Sequence, residues 1–210
     1  QERPKRDARV GMLPPKLAQI IINLSTVKRG QTLLDPFCGT GVLLQESLLM
    51  TMNAYGTDLD PRMIEYSDTN LKWLVDKFRI NGGSFYLEAA DATNTTWTNP
   101  FDAIATETYL GRPFSAQPRP EVLNEVMNDV NTILRKFLQN IAGQTKSGFR
   151  MCIAVPAWKT QNGFKHLKVL DSLEELGYTR TSFVYVATEE LIYHRPEQIV
   201  ARELVTLIRK

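Results

Sequence analysis

The chain has 210 residues, a net charge of +2 and a hydrophobic content of 43%. This length fits one α/β domain, and this composition fills a core, which sets aside disordered and fibrous chains. The near-neutral balance excludes a uniformly basic nucleic-acid binder, and no apolar run reaches membrane-spanning length.

The N-terminal stretch is locally basic, with Arg3, Lys5, Arg6 and Arg9 beside Glu2 and Asp7. It reads either as a solvated tail or as an arm that contacts phosphates. Leu13 to Leu24 carries Pro14-Pro15 at its start and an apolar face of Leu17, Ile20, Ile21 and Leu24. That pattern predicts a helix packed on a core. Gly30 closes this lead-in of residues 1–30, and residues 31–210 form the main domain. From there strands and helices alternate. A strand is expected over Thr32 to Asp35, then a helix over Val42 to Met50. A second strand over Asn53 to Asp58 leads to a helix from Pro61 to Lys77. Strands follow at Ser84 to Glu88 and Phe101 to Thr106. A long amphipathic helix covers Arg119 to Ala142, a fifth strand covers Arg150 to Val155, and a helix covers Phe164 to Leu176, with Gly177 just past its end. Two β-rich runs finish the chain, Thr179 to Ala187 and Ala201 to Arg209. Repeated βαβ units imply a mostly parallel sheet of seven strands, with helices on both faces and an antiparallel C-terminal edge. Such a sheet binds ligands at the carboxyl ends of its strands, near the point where strand order reverses.

The candidate site residues all fall at those strand ends. Leu33-Leu34-Asp35 runs into Pro36-Phe37-Cys38-Gly39-Thr40-Gly41 and then a helix. A glycine turn lets the backbone approach a ligand, and the helix N-terminus offers free N–H groups. The spacing is not GxGxxG and the P-loop lysine is missing, so neither a dinucleotide fold nor an NTPase loop fits. After the second strand, Asp58 is placed to accept both hydroxyls of a ribose, whereas Asp60 with Pro61 reads as a helix cap. Capping is the plain alternative for both acids. Asp91, after the third strand, reads as an acceptor for an adenine amino group or as a loop Asx-turn. Glu107 and Tyr109, after the fourth, supply an acceptor for an exocyclic amine and an aromatic face for a base, or else a polar turn. Cys38 and Cys152 sit apart, as expected of free thiols in a reducing, cytoplasmic compartment. With only His166 and His194, no cluster has metal-ligand spacing, and no metal is expected.

Taken in order, these segments resemble the THUMP-associated RNA methylase family, including the guanosine-10 N2-methyltransferases of tRNA. Motif I is Asp35 to Gly41, preceded by Gly11-Met12-Leu13-Pro14-Pro15-Lys16-Leu17-Ala18. The C-terminal Tyr193-His194-Arg195-Pro196 and Ala201-Arg202-Glu203-Leu204 resemble the family's final hairpin. The resemblance implies a Rossmann-like fold and S-adenosylmethionine (SAM) as cofactor. It places the methionine end on Asp35, Phe37, Cys38, Gly39, Thr40 and Gly41, the ribose on Asp58 with Leu59, and adenine on Asp91 with Ala92. Glu107 would accept from the target amine and Tyr109 would stack on its base. The implied substrate is RNA, chiefly guanine N2 of tRNA, with an upstream THUMP domain or a small activator protein as further partners. One departure stands out. Glu107-Thr108-Tyr109 replaces the usual Asp-Pro-Pro-Tyr or Asn-Pro-Pro-Tyr, so the stiff proline turn is absent. A DNA amino-methyltransferase acting on adenine N6 or cytosine N4 remains open, as does a non-catalytic SAM-binding or activator subunit.

Overall fold

The computed structural model describes residues 2–6, 13–114 and 116–210. Gly11, Met12, Asp7 and Arg9 of the segments above lie outside them. The elements are α1 (Pro15–Leu24), β1 (Thr32–Asp35), α2 (Val42–Leu49), β2 (Asn53–Asp58), α3 (Pro61–Phe78), β3 (Phe85–Ala89), β4 (Ala103–Glu107), α4 (Pro120–Ala142), β5 (Arg150–Thr160), β6 (Gly163–Lys165), β7 (Tyr178–Arg180), β8 (Ile192–Tyr193) and β9 (Val200–Arg209). Short 3₁₀ turns cover Lys168–Ser172 and Thr188–Leu191.

The sheet follows the order β3-β2-β1-β4-β5-β9-β7. Pairs β3·β2, β2·β1, β1·β4 and β4·β5 are parallel, while β9 lies antiparallel between β5 and β7. Strand order therefore reverses between β1 and β4, and the expected antiparallel edge is present. Side-chain alternation assigns the two faces. Leu33, Ala103, Ala105, Cys152, Ala154 and Leu204 point to α1 and α2. Leu34, Tyr55, Ile104, Met151, Ile153, Val155 and Val205 point to α4. The first face is built largely from small residues, so α1 and α2 lie close on the strands. The second meets Leu123, Val126, Val130, Leu134, Phe137, Leu138 and Ile141 of α4 at helical spacing. Asp60 caps α3 as expected, accepting from Arg62 N–H at 2.9 Å, with Pro61 at the first position.

Two expectations fail in the C-terminal third. Residues 164–176 do not form a helix. Strand β5 runs past Val155 to Thr160, turns, and returns as β6, with Thr160 opposite Gly163. Leu167, Val169 and Leu173 are instead buried within and on either side of a 3₁₀ turn. The run Thr179 to Ala187 is strand only to Arg180. The outer edge of β9 pairs with β7 at Leu207–Arg209 and with β8 at Arg202 and Glu203. The chain between β7 and β8 must loop out, which leaves Val184 and Tyr185 exposed. Pro156 is tolerated inside β5 because β4 has already ended at Glu107, opposite Ala154.

Candidate active site

A cavity of about 1360 Å³ opens where the strand order reverses, at the carboxyl ends of β1, β2 and β4. One wall is Asp35, Phe37, Cys38, Gly39 and Thr40, with Asp58, Leu59, Asp91 and Ala92 beside them. Glu107 and Tyr109 line it from the end of β4. Of the expected site residues, only Gly41 is not in the lining. A side chain there would meet Ser67 Oγ at 2.9 Å, and its φ of +79° suits glycine as the residue that starts α2.

Asp35 is buried, with 1% of its surface exposed, yet it borders the cavity. The Thr106 hydroxyl donates to its Oδ1 at 2.6 Å and the Phe37 N–H at 3.3 Å. Burial outweighs these donors and pushes its pKa up to about 8. Asp58 holds the turn from the other side. Its Oδ2 accepts from Gly39 N–H at 2.8 Å and its Oδ1 from Asp60 N–H at 3.0 Å. Burial raises its pKa as well. Leu59 is 73% exposed on the cavity wall, an open apolar side chain next to a charged one. Asp91 forms the Asx-turn, its Oδ1 accepting from Thr93 N–H at 2.9 Å and from the Thr93 hydroxyl at 2.8 Å, and it lines the cavity too. The Asx-turn reading thus holds, and the turn sits on the cavity lining.

Helix α3 clamps the glycine turn in a way no short motif announces. Ser67 Oγ donates to the Gly39 carbonyl at 2.8 Å. The buried Asn70 donates to the Thr40 carbonyl at 2.9 Å. Asn70 also pairs with the Lys5 backbone, accepting at 2.9 Å and donating at 3.0 Å. The Lys5 backbone is thus tied to α3. Cys38 and Cys152 are buried free thiols, and burial pushes Cys152 to about 12, which leaves it inert.

The wall at the end of β4 brings in a residue to which the sequence motifs assign no role in the site. Arg202, in β9, donates from Nε to Glu107 Oε1 at 2.7 Å. It also reaches Gln198 Oε1 at 3.3 Å. Burial raises the Glu107 pKa, and Arg202 offsets only part of that rise. Thr108 donates to the Ala154 carbonyl from its N–H at 3.0 Å and its hydroxyl at 3.3 Å. Tyr109 is 44% exposed and stands at the cavity edge. Gly111, at φ +84°, lies against Val126 of α4, where a Cβ would meet its side chain at 2.6 Å.

The sheet order, the glycine turn after β1 and the acids after β2 and β3 define the methyltransferase class of Rossmann-like α/β domains. The family model of UPF0020, the RMKL-like methyltransferase domain, matches residues 3–166, and the chain belongs to that family. A tRNA (guanine(10)-N2)-dimethyltransferase of Methanothermobacter thermautotrophicus is 34% identical over 146 residues, which is 70% of this chain and 39% of that protein. The chain thus spans well under half the length of that relative. Among solved structures, TrmN from Thermus thermophilus superposes with a TM-score of 0.61 at 18% identity, over 97% of this chain and 51% of that one. The magnesium protoporphyrin IX methyltransferase ChlM from Synechocystis PCC 6803, solved with bound SAM, gives 0.55 at 10% identity, over 93% and 77%. Both show the shared fold.

Proposed function

We propose that this chain is the catalytic domain of a SAM-dependent RNA methyltransferase that modifies an exocyclic base amine, chiefly guanine N2 of tRNA. The observation that carries this reading is the meeting of Glu107 and Tyr109 with Asp35, Asp58 and Asp91 on one cavity. The tRNA-modifying relative supports the choice of substrate.

The lining suits SAM in three respects. A Cβ placed on Gly39 would meet nothing within 4 Å, so the space above the turn is open. Asp35 is a buried carboxyl on the lining of that cavity, fit for the ammonium of an amino acid. Leu59 offers an apolar surface to a flat ring, with Asp58 beside it for ribose hydroxyls and Asp91 and Ala92 for the adenine edge. Bound SAM supplies an electrophilic methyl group. The protein's own part is positional. Glu107 accepts a hydrogen bond from the target amine and keeps electron density on its nitrogen. Tyr109 packs on the extruded base, and the wall from Phe37 to Thr40 excludes water. The amine is neutral, so one proton must leave after transfer, and Glu107, which lines that wall, is placed to accept it.

The test is methyl transfer from labelled SAM to unmodified total tRNA, followed by nucleoside digestion and mass analysis. Labelled N2-methylguanosine is expected. SAM binding without transfer to tRNA would overturn the reading and favour a non-catalytic subunit; transfer to duplex DNA instead would favour the DNA-methylating alternative.

A further inference from the structure

The substitution of Glu-Thr-Tyr for a proline turn raises a physical question: what fixes the acceptor here? The fold answers with two ties from neighbouring strands. Thr108 is bonded to Ala154 of β5, and Glu107 is bonded to Arg202 of β9. In register, Ala154 lies opposite Glu107 and Pro156 lies opposite Arg202. These compact side chains leave a clear path for the guanidinium across β5. The side chains of Arg202 and Glu107 are 4% and 13% exposed. A carboxylate this desolvated takes up a proton unless a cation faces it. The charged groups that bear on it are Arg202 and, from the end of β1, Asp35.

A fixed, charged carboxylate is selective among bases. The Watson–Crick edge of guanine presents two adjacent donors, N1–H and the 2-amino group. Two oxygens accept from both at once. Adenine and cytosine present an amino group beside a bare ring nitrogen, so one carboxylate oxygen would meet a lone pair. Such a clash is how a site rejects a near-isostere.

Building on the function proposed above, we infer that Arg202 is a positioning residue that holds Glu107 as a charged acceptor, and that the pair reads the N1–H and 2-amino edge of guanine. Arg202 therefore takes over the stiffening role of the missing prolines and adds base selection.

The experiment uses tRNA carrying either guanosine or 2-aminopurine at the nucleotide that the wild-type protein methylates. 2-Aminopurine keeps the 2-amino group but has an acceptor at N1. The wild type is expected to favour guanosine by at least about 100-fold in kcat/KM, the scale of rejection when a buried polar group is left unpaired. Glu107→Gln presents an amide N–H where 2-aminopurine has its acceptor, so that variant should lose activity on guanosine and narrow or reverse the preference. Arg202→Met should lower kcat more than it raises KM and move the acid limb of the kcat profile to higher pH, because Glu107 then protonates more readily. Arg202→Lys should restore part of both effects. Equal turnover of the two RNAs by the wild type, or an unmoved acid limb and full kcat in Arg202→Met, would overturn the inference. SAM affinity and thermal unfolding are measured for each variant; if Arg202→Met does not fold, the wild-type preference and Glu107→Gln decide. If the wild type methylates no RNA guanosine at all, the function itself falls, a result distinct from every outcome above.

Discussion

The two walls of the cavity are built by different means. The wall proposed for the cofactor runs from Asp35 to Ala92, along three consecutive parallel strands, and its turn and its acids are held by their own loops or by the next element. Asp58 grips Gly39, Asp91 grips Thr93, and Ser67 and Asn70 grip the turn carbonyls. The wall proposed for the substrate depends on a contact between residues 95 positions apart, Glu107 and Arg202. The first wall forms wherever the βαβ units form. The second exists only once the antiparallel β9 has inserted beside β5.

That contrast can be broken most severely at Glu107. In Glu107→Ala, methyl transfer should fall by about 100- to 10,000-fold, the range for a positioned acceptor or base, while SAM affinity stays within a few-fold. A coupled transfer assay with calorimetric SAM titration checks both; loss of SAM binding would show that the walls are not separable. Asp58→Ala should do the reverse. Losing hydrogen bonds to a charged acceptor, about 1.5–3 kcal/mol, weakens SAM by roughly 10- to 150-fold. Intact affinity in this variant would remove Asp58 from the ribose site.

A third expectation is a pH dependence confined to the cofactor wall. Asp35, with a pKa near 8, is mostly protonated at neutral pH in the absence of SAM, and the ammonium of SAM favours its charged form. Binding should therefore release a proton, and affinity should strengthen as pH rises from 6 towards 8. The same group has a stability signature of opposite sign. Its folded pKa lies above the unfolded value, so its contribution to stability is full below about pH 4 and is lost as pH rises through 8. Calorimetry in buffers of different ionisation enthalpy measures the proton release. Identical pH profiles for the wild type and Asp35→Asn would assign the effect elsewhere. The smallest expected change is at Leu59. Leu59→Ser removes apolar cover of about 1 kcal/mol and should weaken SAM by about fivefold, read in the same titration.

Legibility in the sequence followed the same division. Strands β1 and β2 and the N-cap of α3 could be read residue by residue, because alternation, Asp60-Pro61 and the glycine turn are local. The carboxylates and the open Leu59 were likewise visible at strand ends. The clamp by Ser67 and Asn70 was hidden, since both look like ordinary polar residues inside a helix. The expected helix over residues 164–176 failed because Phe164 and Lys165 pair with Lys159 and Trp158 in the β5–β6 hairpin, which leaves only a 3₁₀ turn over Lys168–Ser172. The strand after Thr179 was overdrawn because β9 can pair with only one neighbour on its outer edge at each register.

Arg202 shows where local reading ends. A basic residue inside a β-rich run was visible within the C-terminal segment, and its neighbour Glu203 as well. Their roles follow from the pleat alone, which sends Arg202 to Glu107 and Glu203 to His166 at 2.5 Å and Arg180 at 2.8 Å. By itself the sequence determined the alternating α/β order, the glycine turn and the acids at the strand ends, because each is a pattern of near neighbours. Only the tertiary structure decided how the acceptor is held and charged, because that rests on desolvation and on a cation delivered from a distant strand.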